Sequence, residues 1–256
     1  MNDTSMTLAV LLYGLVAGGA EVLGGVFVVL RRSWPARVQE YLLALSAGFL
    51  LSLVFLELVP EALHTVGPSA PLYMLAGYAV LHFFEHTIVG HLHFGEETHS
   101  EVMISQVASY STFLGLCIHA FFDGFTIAVG IQFDYLVGLL IFIAVTMHKI
   151  PEGLTIASVM LAAKHDRRMA LIASIVVGVA TFLGAASALM LGGISETLVG
   201  IAFAFSAGIA TYVGASDLIP EINHSKNRII PLLVFVGMML FYAGKVGLET
   251  FAGIGH

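Results

Sequence analysis

His148-Lys149-Ile150-Pro151-Glu152-Gly153-Leu154-Thr155-Ile156-Ala157 sets a histidine, a lysine and a glutamate inside an apolar run, 134–161. A second run, 102–130, contains His119-Ala120-Phe121-Phe122-Asp123-Gly124-Phe125-Thr126-Ile127-Ala128. Both segments read H-x-x-x-[DE]-G-x-T-I-A. Charged side chains in the middle of apolar segments are costly in any setting, so the surroundings of these two decide the fold.

The surroundings are apolar throughout. Of 256 residues, 58% are hydrophobic and 11% charged, whereas soluble domains carry about 25% charged residues. Too few charges exist to cover a water-facing surface, which excludes a soluble enzyme and a disordered chain. The net charge of -7 argues against a nucleic-acid partner. One cysteine excludes an intrachain disulfide framework and a Cys-rich zinc module. A membrane helix needs about 20 apolar residues. The sequence predicts an all-α polytopic membrane protein, one transporter domain over 1–256, with eight spans near 7–30, 39–61, 70–92, 102–130, 134–161, 168–192, 197–222 and 230–253. The first run lacks a basic start and reads as a retained helix, not a cleaved signal.

The ten Lys and Arg residues orient these spans. Arg31, Arg32 and Arg37 lie between spans 1 and 2. Lys164, Arg167 and Arg168 lie between spans 5 and 6, and Lys226 and Arg228 between spans 7 and 8. With eight spans, these loops share one side. The positive-inside rule makes that side cytoplasmic. The expectation is an inner (plasma) membrane protein with both termini outside. Lys149 and Lys245 fall inside spans and need partners.

A further echo relates distant segments. Residues 46–64 and 206–224, offset by 160, share seven of 19 positions, including Ser-Ala-Gly at the start and Pro-Glu near the end. Spans 2 and 7 run in opposite directions, so the echo predicts an inverted repeat of spans 1–3 and 6–8 around the central pair 4–5.

In each central span the His and the acid are four apart, on one face and one turn apart. His119 and His148 both fall near mid-membrane. Two imidazoles and two carboxylates converging there suit a divalent cation, Zn²⁺ first, or Fe²⁺, Mn²⁺ or Cd²⁺. The set has too few oxygens for Ca²⁺ or Mg²⁺. Pro151 removes a backbone donor and is expected to open the helix around Met147 and Ile150. The competing readings are a polar network that locks two helices together and a catalytic zinc site. The hydrolase pattern His-Glu-x-x-His is absent.

At these motifs the sequence resembles the ZIP (Zrt/Irt-like protein) family of divalent-metal transporters, in its prokaryotic, GufA-like branch. The resemblance covers the whole chain and is most specific at His119–Asp123-Gly124 and His148–Pro151-Glu152-Gly153. It implies metal movement toward the cytoplasm through a site made by His119, Asp123, His148 and Glu152. Members with two metal ions have Asn or Asp after each motif histidine, where this chain has Ala120 and Lys149. An ammonium cannot ligate a cation and repels one. One central ion is therefore expected, with the Lys149 amine in place of the second. Thr181 falls about where such members place an acid on span 6.

Glu57, Glu61 and His64, at the outer end of span 2, are entrance candidates. His82, Glu85 and His86 on span 3, with Asp217, Glu221 and His224 on span 7, are exit candidates. Solvated span ends would look the same. His91, His93, Glu96, Glu97 and His99 form a cytoplasmic loop that holds metal on delivery, senses it, or is simply polar. Glu21 and the pair Lys245–Glu249 read as structural neutralisation, and Cys117 as a small hydrophobe.

The inverted layout predicts alternating access around a fixed midplane site. No phosphate-loop motif points to ATP. No cofactor is expected. The transported metal is the substrate, and the other partners are membrane lipid and, as an option, a second copy in a homodimer. The alternatives are an intramembrane metal-dependent hydrolase and a non-transporting metal sensor.

Overall fold

The computed structural model describes residues 3–31, 34–89, 105–133, 135–190 and 195–252, and every regular element among them is helical. The elements are α1 (Asp3–Leu30), α2 (36–66), α3 (70–89), α4 (Gln106–Phe133), α5 (Tyr135–Ala162), α6 (Arg167–Met190), α7 (196–223) and α8 (Ile230–Ala252). Among the described residues, six stretches are long and apolar enough to cross a membrane: Thr4–Leu30, Arg37–Phe83, Gln106–Gln132, Arg167–Met190, Thr197–Leu218 and Ile230–Gly247. The second of these contains both α2 and α3, which meet at the turn Gly67–Ser69. Gly67 has φ of 60°, a left-handed backbone that suits glycine.

Two helices widen at matching places. α2 has a π turn at Val54–Leu58 and α7 one at Tyr212–Leu218. Each lies just before a proline, Pro60 or Pro220. A proline ring crowds the carbonyl four residues back and leaves it without a donor; a wider turn absorbs both problems. Pro151 behaves differently. It lies within a continuous α-helix, so the expected opening around Met147 does not take the form of a break. Thr155 donates its hydroxyl to the Pro151 carbonyl at 2.8 Å.

Small residues set the packing. The buried positions of α6 include Ala170, Ala173, Ser174, Val177, Gly178, Thr181, Gly184, Ala185 and Ala188. They recur every three or four residues and form a stripe along which backbones approach closely. A Cβ at Gly124 would collide with the Thr181 carbonyl, and a Cβ at Gly153 with the Glu21 carbonyl. Gly48 abuts the Val234 carbonyl and Gly208 the Met74 carbonyl in the same way.

Contacts also give the directions. α2 and α8 run together, with Tyr41 meeting Asn227, Phe49 meeting Phe241 and Glu57 meeting Lys245. α3 and α7 run together, with Ala70 in one cluster with Ala204 and Tyr78 against Tyr212 and Ser216. α1 and α6 oppose each other, with Gly14 at Ala185 and Val29 at Arg167. The outer faces carry exposed Leu8, Leu12, Leu15, Phe27, Leu72, Leu232 and Phe235, an apolar surface that water would not favour.

Candidate metal centre

α4 and α5 cross with opposite directions, Gly130 against Gly138 at one end and Leu116 clustered with Met160 toward the other. His119 and His148 each occupy the middle of their helix. The spacing of four brings Asp123 and Glu152 onto the same inward face. His119 and Lys149 are fully buried, Asp123, His148 and Glu152 nearly so.

One oxygen organises the centre. Asp123 Oδ2 lies 3.0 Å from His148 Nε2, 3.3 Å from His119 Nε2 and 2.8 Å from Lys149 Nζ. Lys149 also donates to Glu152 Oε2 at 2.5 Å and lies 3.5 Å from Glu21 Oε2. The two imidazoles stack with centroids 6.0 Å apart. His119 Nδ1 is 2.6 Å from Ser206 Oγ on α7. With the Nδ1 proton donated to that hydroxyl, Nε2 presents its lone pair to the centre, the usual arrangement of a ligating histidine and its outer partner.

His119, Asp123, His148 and Glu152 each offer one ligand atom, and these four atoms all lie within 4.8 Å of one another. His119 Nε2 and Glu152 Oε1 make no hydrogen bond. Buried polar atoms without partners are rare and costly, and here both belong to residues of this four-residue group. Two nitrogens and two carboxylate oxygens are a donor set for Zn²⁺ or a similar transition metal.

The neighbouring positions differ. Ala120 is buried in an apolar cluster with Ile156 and Val177. Thr181 is buried and turns its hydroxyl to the Val177 carbonyl at 3.5 Å. Cys117 is half-buried beside that cluster.

The remaining candidates are scattered over the ends of the helices. Glu57 pairs with Lys245 on α8. Glu61 and His64 are exposed, with the Thr65 hydroxyl 3.3 Å from the Glu61 carboxylate. His82 and His86 are exposed with centroids 4.3 Å apart, and His82 also meets Tyr212 at 5.8 Å. Asp217 is buried and accepts from Thr112 at 3.1 Å. His224 is exposed. The side chains of Glu85, Glu221 and Glu249, and all of His91, His93, Glu96, Glu97 and His99, lie outside the described residues.

A family model described as ZIP Zinc transporter matches residues 85–243. The zinc transporter ZupT of Escherichia fergusonii is 31% identical over 96% of this chain and 98% of its own length. The chain belongs to the ZIP family. Animal relatives are more distant. Zinc transporter ZIP9 of Micropogonias undulatus is 28% identical over 64% of this chain and 54% of its own length. Zinc transporter ZIP6 of Homo sapiens is 27% identical over 53% of this chain and 18% of its own. This ZIP protein thus spans about half of ZIP9 and a smaller part of ZIP6, but nearly all of ZupT.

Two neighbours of the centre were not named as such from the sequence. Ser206 belongs to the Ser-Ala-Gly echo, and the repeat itself was the signal. Glu21, expected as structural neutralisation, is the lone charge of α1 beyond its first residue and lies 3.5 Å from the Lys149 ammonium.

Proposed function

We propose that this ZIP-family chain is a transporter of divalent transition metal, zinc first and Fe²⁺, Mn²⁺ or Cd²⁺ as further substrates. It moves metal toward the cytoplasm through one midplane site formed by His119, Asp123, His148 and Glu152. The observation that carries this is the approach of four buried ligand atoms to within 4.8 Å of one another. Zinc transport by the full-length bacterial relative supports the substrate.

The architecture we infer is eight spans, with α1–α3 and α6–α8 related by inversion about α4 and α5. Matching close approaches support it. Gly124 faces Thr181 as Gly153 faces Glu21, and Gly48 faces Val234 as Gly208 faces Met74. Glu21 and Thr181, Gly48 and Gly208, and Met74 and Val234 are each 160 residues apart, the offset of the sequence echo. Such inverted halves suit rocking about a fixed site. Charge placement supports an inner membrane with both termini outside. The exposed apolar belt faces lipid and offers a surface for a homodimer.

Glu57, Glu61 and His64 then stand at the entrance. His82, His86, Asp217 and His224 are the exit residues of this reading, with Glu85 and Glu221 as further exit candidates and His91, His93 and His99 as candidates to receive the metal. No cofactor enters this reading.

Purified protein in proteoliposomes tests the function. Zinc influx is expected in wild type and abolished in the double variant His148→Ala, Glu152→Ala. Equal flux in the two would overturn the site. Competition among the four metals in the same vesicles ranks the substrates.

A further inference from the structure

Glu21 is the acid that the four-ligand site leaves unused. It is fully buried, and neither of its carboxylate oxygens makes a hydrogen bond. Oε2 points at Lys149 Nζ from 3.5 Å. α1 is pinned to α5 at this level, because Gly153 packs directly on the Glu21 carbonyl. The ammonium sits 2.5 Å from Glu152 and 2.8 Å from Asp123, the two carboxylates that a metal needs.

A divalent cation bound to Asp123 and Glu152 repels Lys149 at close range, and the repulsion is strong in a low-dielectric interior. The displaced ammonium is buried and cannot reach water. A buried charge stripped of its partner is strongly destabilising. Among the described residues, the carboxylate beside Lys149 that is not a ligand is Glu21. The residue 160 positions later, Thr181, carries no charge, so the counter-ion exists on the Lys149 side alone.

We propose that Glu21 is a positioning residue that takes the Lys149 ammonium when a divalent cation occupies His119, Asp123, His148 and Glu152. This rests on the reading of those four residues as the metal site.

Calorimetric zinc titration of the purified full chain tests it, alongside thermal melting with and without zinc. Glu21→Gln is expected to weaken zinc binding by about 10–100-fold, the usual effect of losing an outer partner of a metal site. The metal-free melting temperature should stay near wild type, because Lys149 keeps Asp123 and Glu152, while the zinc-induced rise shrinks. Glu21→Gln combined with Lys149→Gln should recover near-wild-type affinity, since the ammonium that needed a partner is gone. Wild-type affinity in Glu21→Gln, or no recovery in the double variant, overturns the role. His148→Ala with Glu152→Ala separates the two levels. If that variant loses zinc while Glu21→Gln keeps it, the Glu21 role alone falls. If it binds zinc like wild type, the four-ligand reading falls and the role of Glu21 with it.

Discussion

Lys149 Nζ lies 2.8 Å from Asp123 Oδ2, the same oxygen that faces His148 Nε2 at 3.0 Å. A cation tethered to α5 therefore shares an oxygen of the proposed metal site. It pairs with both carboxylates, and in the one-ion reading its charge keeps a second metal away. We expect one ion per chain in the core of zinc-saturated protein, counted by anomalous scattering. Lys149→Asp should raise the count to two, since it replaces a repelling charge with a ligand. Two core ions in the wild type would sink the idea that the ammonium stands in for one of them.

Ser206 fixes His119 from the other side, 2.6 Å from Nδ1. Ser206→Ala removes this partner without adding bulk. Its expected effect is a loss of about 10–100-fold in zinc affinity, as for other outer partners of metal-binding imidazoles. Ser206→Thr, which keeps the hydroxyl, should lose much less. Calorimetric titration of both variants distinguishes an orienting hydroxyl from a packing position.

The bundle was legible because apolar runs are long and interrupted by charge or glycine. The first expected span, 7–30, lies within Asp3–Leu30, and the fifth, 134–161, nearly coincides with Tyr135–Ala162. The second was cut short at Glu61, whereas the helix reaches Val66, because the π turn before Pro60 lets the chain continue through the proline. The convergence of His119, Asp123, His148 and Glu152 was legible because a spacing of four is a local rule. One partner of Lys245 was not: its ammonium bonds Glu57, 188 residues away, a contact no local spacing gives, while the side chain of Glu249, the expected i+4 partner, lies outside the described residues. Ser206 on His119 and Glu21 beside Lys149 likewise depend on which helices pack together, which no single-helix periodicity encodes.

The Glu57–Lys245 pair changes how the entrance reads. Its side chains are 36% and 28% exposed, so solvent weakens it, and such pairs contribute about 0–1 kcal/mol. Lys245→Gln should therefore cost little stability while freeing a carboxylate to attract cations. Its expected signature is a fall of about twofold in the KM for zinc uptake, within the range of so weak a pair, and a stronger salt dependence of uptake. Glu57→Gln should move KM the other way. If neither variant alters KM, Glu57 plays no part at the entrance.

His165 lies between α5 and α6, with Nε2 3.1 Å from Ser109 Oγ and its ring 5.2 Å from Tyr110. Burial lowers its pKa below the ordinary histidine value, and the nearby Asp166 carboxylate offsets part of that shift. The folded chain thus binds this proton less readily than the unfolded chain. The linked stability is fully present above the unfolded value of about 6.5 and is lost as pH falls through it toward the lower folded value. Melting followed from pH 7.5 to 5 should show this decline, and His165→Gln should remove part of it. An unchanged pH profile in that variant would show that other groups set the acid sensitivity.

Gly124 and Gly153 make the sharpest test of the repeat. Each abuts a carbonyl of the flanking helix, Thr181 for Gly124 and Glu21 for Gly153, and neither contact leaves space for a methyl group. Backbone cannot swing aside as a flexible side chain can, so Gly124→Ala and Gly153→Ala should each push a flanking helix off the central pair. Overpacking of this kind costs about 1–3 kcal/mol. Gly19→Ala is the control, because a Cβ there meets nothing within 4 Å and alanine favours a helix. We expect the two central variants to lower the melting temperature by similar amounts and to reduce zinc affinity, with Gly19→Ala unchanged or slightly stabilised. Similar losses follow if one packing solution is used twice, on opposite faces of the centre. A large loss at Gly153 with none at Gly124 would mean that the two halves hold the centre by different contacts, and the inverted repeat would then not extend to the packing around the metal ligands.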